Sequence, residues 1–184
     1  MRTFQKDVIA KYLKTYAEPE AALGTRLQCH TKHVLVIPAQ DESISLLEGI
    51  QPALDTVSEQ GQRALCIIVV NATDTHDSLV QKRNTELIHA LRDHGPTVPL
   101  HTQNETPCWH TRASGFDLVV VDRNSTGFRL PSNQGVGLAR KIGCDLALTA
   151  LRDGTNRSPL IHMTDCDVRL PSDYFDVAVP AACA

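Results

Sequence analysis

Four short apolar runs, separated by stretches with helical periodicity, constrain the fold of this 184-residue chain more than any other feature. They are His33-Val34-Leu35-Val36-Ile37-Pro38, Ala64-Leu65-Cys66-Ile67-Ile68-Val69-Val70, Phe116-Asp117-Leu118-Val119-Val120-Val121 and Leu160-Ile161-His162-Met163. Runs this short, rich in β-branched residues and lacking strict apolar/polar alternation, read as strands buried on both faces. Between them, Ile44, Leu46, Leu47, Ile50, Leu54 and Val57 supply one helical stripe, with Ser43 able to cap it and Gly49 and Pro52 weakening its middle. Residues 78–91, with Leu79, Leu87, Ile88 and Leu91, give a second helix; residues 135–151, with Val136, Ala139, Ile142, Leu146 and Leu151, give a third. The alternation predicts an α/β fold: a Rossmann-like, mostly parallel sheet with helices on both faces. Phe4, Val8, Ile9, Tyr12, Leu13 and Tyr16 predict a leading amphipathic helix. Residues 1–32 are then a helical appendage to a domain spanning 33–184. Residues 95–114 are polar, contain Pro96, Pro99 and Pro107, and read as an irregular excursion.

A net charge of −3 with only 4% aromatic residues leaves no basic, aromatic-rich surface, so nucleic acid is not expected as a partner. No stretch of about eighteen apolar residues offers a transmembrane segment, and the N-terminus lacks the apolar core of a secretory signal. The six cysteines, Cys29, Cys66, Cys108, Cys144, Cys166 and Cys183, lack the paired spacing of a zinc site and suit a reducing compartment, so cytoplasmic residence is expected.

In open sheets of this type ligands bind beyond the carboxyl ends of the strands. The polar groups there are Gln40-Asp41-Glu42, Asn71-Ala72-Thr73-Asp74, Asp122-Arg123 and Asp165-Cys166-Asp167. On an extended strand end, Asp165 and Asp167 point the same way and present two carboxylates to a hard cation, Mn²⁺ or Mg²⁺. Each group also has a plain structural reading. Asp41 or Glu42 can favour the dipole of the next helix from its first turn, and Asn71 and Asp74 can make a turn by bonding their own backbone. Gly135-Val136-Gly137 can open a helix near a diphosphate, with Arg140 or Lys141 facing its charge, or those cations can be solvated. A dinucleotide fingerprint does not fit, because Pro38-Ala39-Gln40 follows the first strand. His162 lies within an apolar run and suits a core or edge role. Trp109 offers a ring for sugar stacking, or packs onto the core.

Taken in order, Val36-Ile37-Pro38-Ala39-Gln40-Asp41-Glu42, Val69-Val70-Asn71-Ala72-Thr73-Asp74, Asn133-Gln134-Gly135-Val136-Gly137-Leu138-Ala139-Arg140-Lys141-Ile142-Gly143 and Thr164-Asp165-Cys166-Asp167 resemble the family 2 glycosyltransferases of GT-A fold. The resemblance covers about residues 33–175, the nucleotide-sugar half of that fold. It implies a hexosyltransferase-type reaction: a sugar moves from a nucleoside-diphosphate donor to an acceptor hydroxyl. By resemblance, Pro38, Ala39 and Glu42 line the nucleoside pocket, with Glu42 near the ribose, and Asp74 belongs to the same site. Asn71 stands where the family has an aspartate against the base, and Lys141 where it commonly has asparagine. Arg140 faces the diphosphate. Asp165-Cys166-Asp167 is the DXD motif, Asp165 facing ribose or metal and Asp167 serving as principal metal ligand.

The family's catalytic base lies well downstream of that motif, whereas only Ser172 to Ala184 remain here. A chain truncated at its C-terminus, or a non-catalytic nucleotide-sugar-binding remnant or interaction module, is therefore expected. Asp165-Cys166-Asp167-Val168 also imitates the nucleophile motif of haloacid-dehalogenase-like phosphatases, although that motif normally opens its fold.

Overall fold

The computed structural model describes residues 3–155, 157–158 and 160–177, with side chains described from residue 7 onward; Cys183 and the side chain of Phe4 lie outside it. Among the described residues the strands are β1 (His33–Ala39), β2 (Ala64–Asn71), β3 (Thr97–Pro99), β4 (Cys108–Arg112), β5 (Phe116–Arg123) and β6 (His162–Met163). They form one sheet in the order β3-β4-β5-β2-β1-β6. β5, β2, β1 and β6 run parallel, whereas β4 is antiparallel to both β5 and β3. Taken alone, the parallel strands follow the chain order third, second, first, fourth. The order therefore reverses between β1 and β6, which opens a crevice beyond their carboxyl ends.

Both faces of the sheet are covered, which is why its central strands lack polar alternation. Leu35, Ile37, Cys66, Ile68, Leu118 and Val120 pack beneath α2 (Leu46–Glu59) and α3 (Ser78–Arg92). Val34, Val36, Leu65, Ile67, Val69, Val119 and Val121 pack against Ala139, Ile142, Leu146, Ala147 and Ala150 of α4 (Val136–Arg152). Each such branched side chain contributes about 1.5–3 kcal/mol by leaving water. Gly143 sets the approach of α4: a Cβ there would lie 2.4 Å from Val36 Cγ1.

The N-terminal α1 (Thr3–Thr15) and a 3-10 segment (Pro19–Arg26) lie against α4. Asp145, buried on α4, accepts from the Tyr12 hydroxyl and the Glu18 N–H, both at 2.8 Å. Lys141 joins this cluster, reaching Asp145 at 2.8 Å and Glu18 at 2.9 Å. It is therefore engaged with the N-terminal segment and does not line the crevice. Leu23 and Leu27 continue the core on this face.

Three expectations need correction. Residues 95–114 are not irregular throughout: β3 and β4 form a hairpin that extends the sheet past β5. Its signal is masked by polar side chains, because buried His110 and Thr111 take positions usually filled by aliphatic residues. Pro99 is tolerated because β3 is an edge strand. The helix after β1 is preceded by Ser45 and not capped by Ser43, and Ile44 and Leu79 are exposed outside their predicted stripes. Finally, β6 ends at Met163, so the aspartates lie past the strand and Cys166-Asp167 forms a turn. No helix among the described residues is long and apolar enough to cross a membrane.

Candidate functional site

The crevice between the ends of β1 and β6 has a volume of about 410 Å³. Pro38, Gln40 and Glu42 from the β1 end, Asn71 from the end of β2, Val136 and Arg140 from α4, and Asp165, Cys166 and Asp167 line it. Six residues singled out in the sequence thus meet: Pro38, Glu42, Asn71, Arg140, Asp165 and Asp167. Ala39 is fully buried beneath the crevice and contributes backbone, its carbonyl accepting from Asn71 Nδ2 at 3.1 Å. Asp74 is not among the lining residues. It is exposed, 3.4 Å from Arg129, in a turn where the Thr73 N–H donates to His76 Nδ1 at 2.8 Å.

The orientation of the Asn71 amide is fixed by its partners. Nδ2 donates to the carbonyls of Ala39 and Val69, which only accept. The amide is therefore held with its donors in the sheet, leaving Oδ1 as its remaining polar atom.

A residue without a motif of its own supports this corner. Asn84 of α3 is fully buried; its Oδ1 accepts from the Asp41 N–H at 2.8 Å, and its Nδ2 donates to the Asn71 carbonyl at 2.9 Å and to Asn124 Oδ1 at 3.2 Å. One side chain thus ties the ends of β1, β2 and β5. Its only signal in the sequence is an asparagine in register with the buried stripe Leu87, Ile88 and Leu91. Asp41 adopts a left-handed φ of 62°, a conformation that aspartate tolerates better than most residues, and pairs with Arg83. α2 begins at Leu46, so neither Asp41 nor Glu42 lies in its first turn. Asp122 accepts from the N–H groups of Asn124 and Ser125 at 2.8 Å and serves the turn after β5.

The two aspartates are set by different contacts. Arg140 pairs with Asp165, joining α4 to the loop after β6. The half-buried Cys166 packs on the core, and its Sγ donates to Glu42 Oε1 at 3.3 Å. Burial and this contact push the thiol up to about 11, so it stays protonated at neutral pH. Further along, the Leu170 N–H donates to the Gly49 carbonyl at 2.9 Å. Gly49 is needed at that contact, since a Cβ would stand 2.6 Å from the Val168 carbonyl oxygen.

Among the described residues, no group of three or more His, Cys, Asp or Glu side chains is placed to hold a metal ion. Two exposed carboxylates fit a cation that takes its remaining oxygens from phosphate and water, the usual habit of Mg²⁺. Trp109 is remote from this chemistry: the Arg92 guanidinium lies 4.2 Å from its ring centroid, and the ring packs on the core. Comparison with protein-family models, curated proteins and solved structures found no match.

Proposed function

We propose that the chain is a glycosyltransferase-type domain of GT-A kind that binds a nucleoside-diphosphate sugar with Mn²⁺ or Mg²⁺. The observation that carries this reading is the meeting of Asn71, Glu42, Arg140, Asp165 and Asp167 in one crevice at the point where strand order reverses. Each group has chemistry suited to one part of such a donor. Asn71 offers its Oδ1 as an acceptor to a base, and Glu42 can accept hydrogen bonds from ribose hydroxyls. Arg140 presents a planar cation to phosphate oxygens from the first turns of α4. Asp165 and Asp167 would hold the divalent ion, which neutralises charge on a diphosphate leaving group.

A second reading, donor binding without turnover, draws on the same crevice. Its acidic lining residues are Glu42, Asp165 and Asp167. All three are engaged in the donor reading, leaving none of them as base for an acceptor hydroxyl. Titration calorimetry with nucleoside diphosphates and their sugars, with and without Mn²⁺, tests the shared core of both readings. Metal-dependent heat that disappears in Asp167→Ala supports it; no binding to any of them, or unchanged binding by the variant, refutes it. Sugar transfer by the purified chain would decide against the binding-only reading.

A further inference from the structure

Opposite the crevice, at the amino ends of β1 and β6, the chain buries two histidines side by side. His33 and His162 are 4% and 7% exposed, and their ring centroids are 6.5 Å apart. Phe175, on the short helix α5 (Tyr174–Val177), closes over both, with its ring 4.8 Å from His33 and 5.1 Å from His162. Tyr174 lies 5.4 Å from His162. Among the described residues, His33 Nδ1 and His162 Nε2 have no partner at ordinary hydrogen-bond geometry; the buried Gln62 Oε1, likewise without one, lies close enough to His33 to favour its charged form. These rings are packed as neutral aromatic bodies, each with a polar atom unmatched.

We infer that His33 and His162 beneath Phe175 form an acid-sensitive latch, whose protonation undocks residues 170–177 and loosens the loop carrying Asp165 and Asp167. A buried imidazolium without an acceptor is costly, and two neighbouring ones repel each other. The surroundings compensate only in part: Gln62, beside His33, favours the charged ring, but by less than burial opposes it. Lys32 beside His33 opposes a further positive charge. Asp176 on α5 acts in the other direction, but its carboxylate already accepts from Gln60 Nε2 at 3.1 Å. Tyr174 is held neutral by burial, which raises its pKa. Desolvation lowers both histidines below their ordinary value, with Lys32 and the neighbouring imidazole adding to the effect at His33.

The mechanical link is direct. Among the described residues, β6 pairs with β1 through Leu35↔His162 and Val36↔Met163, with one further bond from the Thr164 N–H to the Val36 carbonyl at 3.2 Å. The loop after it returns to the core at Leu170 and Phe175, both buried in the cluster that contains Leu35 and Ile50. Loss of Phe175 therefore weakens one end of the loop, where Leu170 and its bond to the Gly49 carbonyl remain, and displacement of His162 weakens the other. The latch stands independently of any ligand reading.

The lowered values set the sign of the pH effect. Above about pH 6.5, the unperturbed value, the rings are neutral whether docked or released, and the latch holds fully. Its contribution falls as pH drops from about 6.5 towards the depressed docked values. Amide hydrogen exchange on the unliganded chain at pH 7.5 and 5.5, expressed as protection factors, tests this. Protection of residues 162–177 should fall at least tenfold at pH 5.5 while β2 and β5 keep theirs, and the loss should shrink in the double variant His33→Gln, His162→Gln. Unchanged protection in 162–177, an equal loss in β2 and β5, or an undiminished loss in the double variant would overturn the latch. The wild-type profile alone decides if the variant does not fold.

Discussion

Arg140 on α4 and Asp165 in the loop after β6 are ion-paired across the crevice, each partly open to solvent. This pair makes two groups proposed to serve one ligand satisfy each other without it. A diphosphate would take Arg140 and free Asp165 for the cation, so metal and nucleotide should bind more tightly together than separately. Arg140→Ala is expected to weaken nucleoside-diphosphate binding at least tenfold, corresponding to about 1.4 kcal/mol, with little change in melting temperature. Calorimetry beside a thermal melt checks both halves of that expectation.

Gly49 should be sensitive for a reason invisible in helix propensity. The substitution Gly49→Ala improves the intrinsic preference of α2 yet drives a methyl group into the Val168 carbonyl, 2.6 Å from the ideal Cβ. A net loss of about 1–3 kcal/mol is expected, as for overpacking elsewhere. Urea unfolding measures it. Stabilisation by the alanine would show that the 168–170 segment does not rest on α2.

Asn84→Ala removes partners from the Asp41 N–H, the Asn71 carbonyl and Asn124. Leaving one such buried group unmatched costs about 1–3 kcal/mol. The variant should be destabilised by at least that amount and should bind nucleotide more weakly through displacement of Asn71. Chemical unfolding and a binding isotherm on the same sample separate the two effects.

Asp117 is the buried acid with the clearest pH signature. Burial alone would raise its pKa, but hydrogen bonds from His110 at 2.8 Å and Arg63 at 2.7 Å outweigh that and hold it below the ordinary carboxylate value. Its contribution to stability is complete above the unfolded value of about 3.9 and is lost as pH falls towards the lowered folded value. Arg63→Met should cost about 3 kcal/mol at pH 7, the lower end for a broken buried pair because Arg63 is partly exposed. The difference from wild type should narrow in unfolding curves recorded at progressively lower pH below 4.

The central strands were legible because burial on both faces leaves nearly unbroken apolar runs such as Leu65 to Val70. The β3–β4 hairpin was not, because a run with His110 and Thr111 in buried positions carries little apolar signal. The crevice was partly legible for a topological reason: parallel strands deliver the residues at their carboxyl ends to the same edge of the sheet. That logic placed Asn71 and Glu42 but could not separate Asn71 from Asp74, since the Thr73–His76 turn takes Asp74 outward to Arg129. It likewise could not separate Arg140 from Lys141, adjacent on a helix and turned to different partners. Gly49 looked like a weak point in α2 because only the folded chain brings Val168 against it.

Electron paramagnetic resonance of Mn²⁺ tests the central claim most directly, because the signal of the free aqueous ion diminishes when the ion is bound. Titrating the chain with Mn²⁺ alone should leave most of the signal, since the described side chains supply only a carboxylate pair for the ion and Arg140 occupies Asp165. Adding a nucleoside diphosphate should remove signal at least tenfold more effectively than expected from the nucleotide's own affinity for the ion, and Asp167→Ala should abolish the gain. A signal indifferent to the chain with every nucleoside diphosphate tried, or a gain that survives Asp167→Ala, would contradict the account.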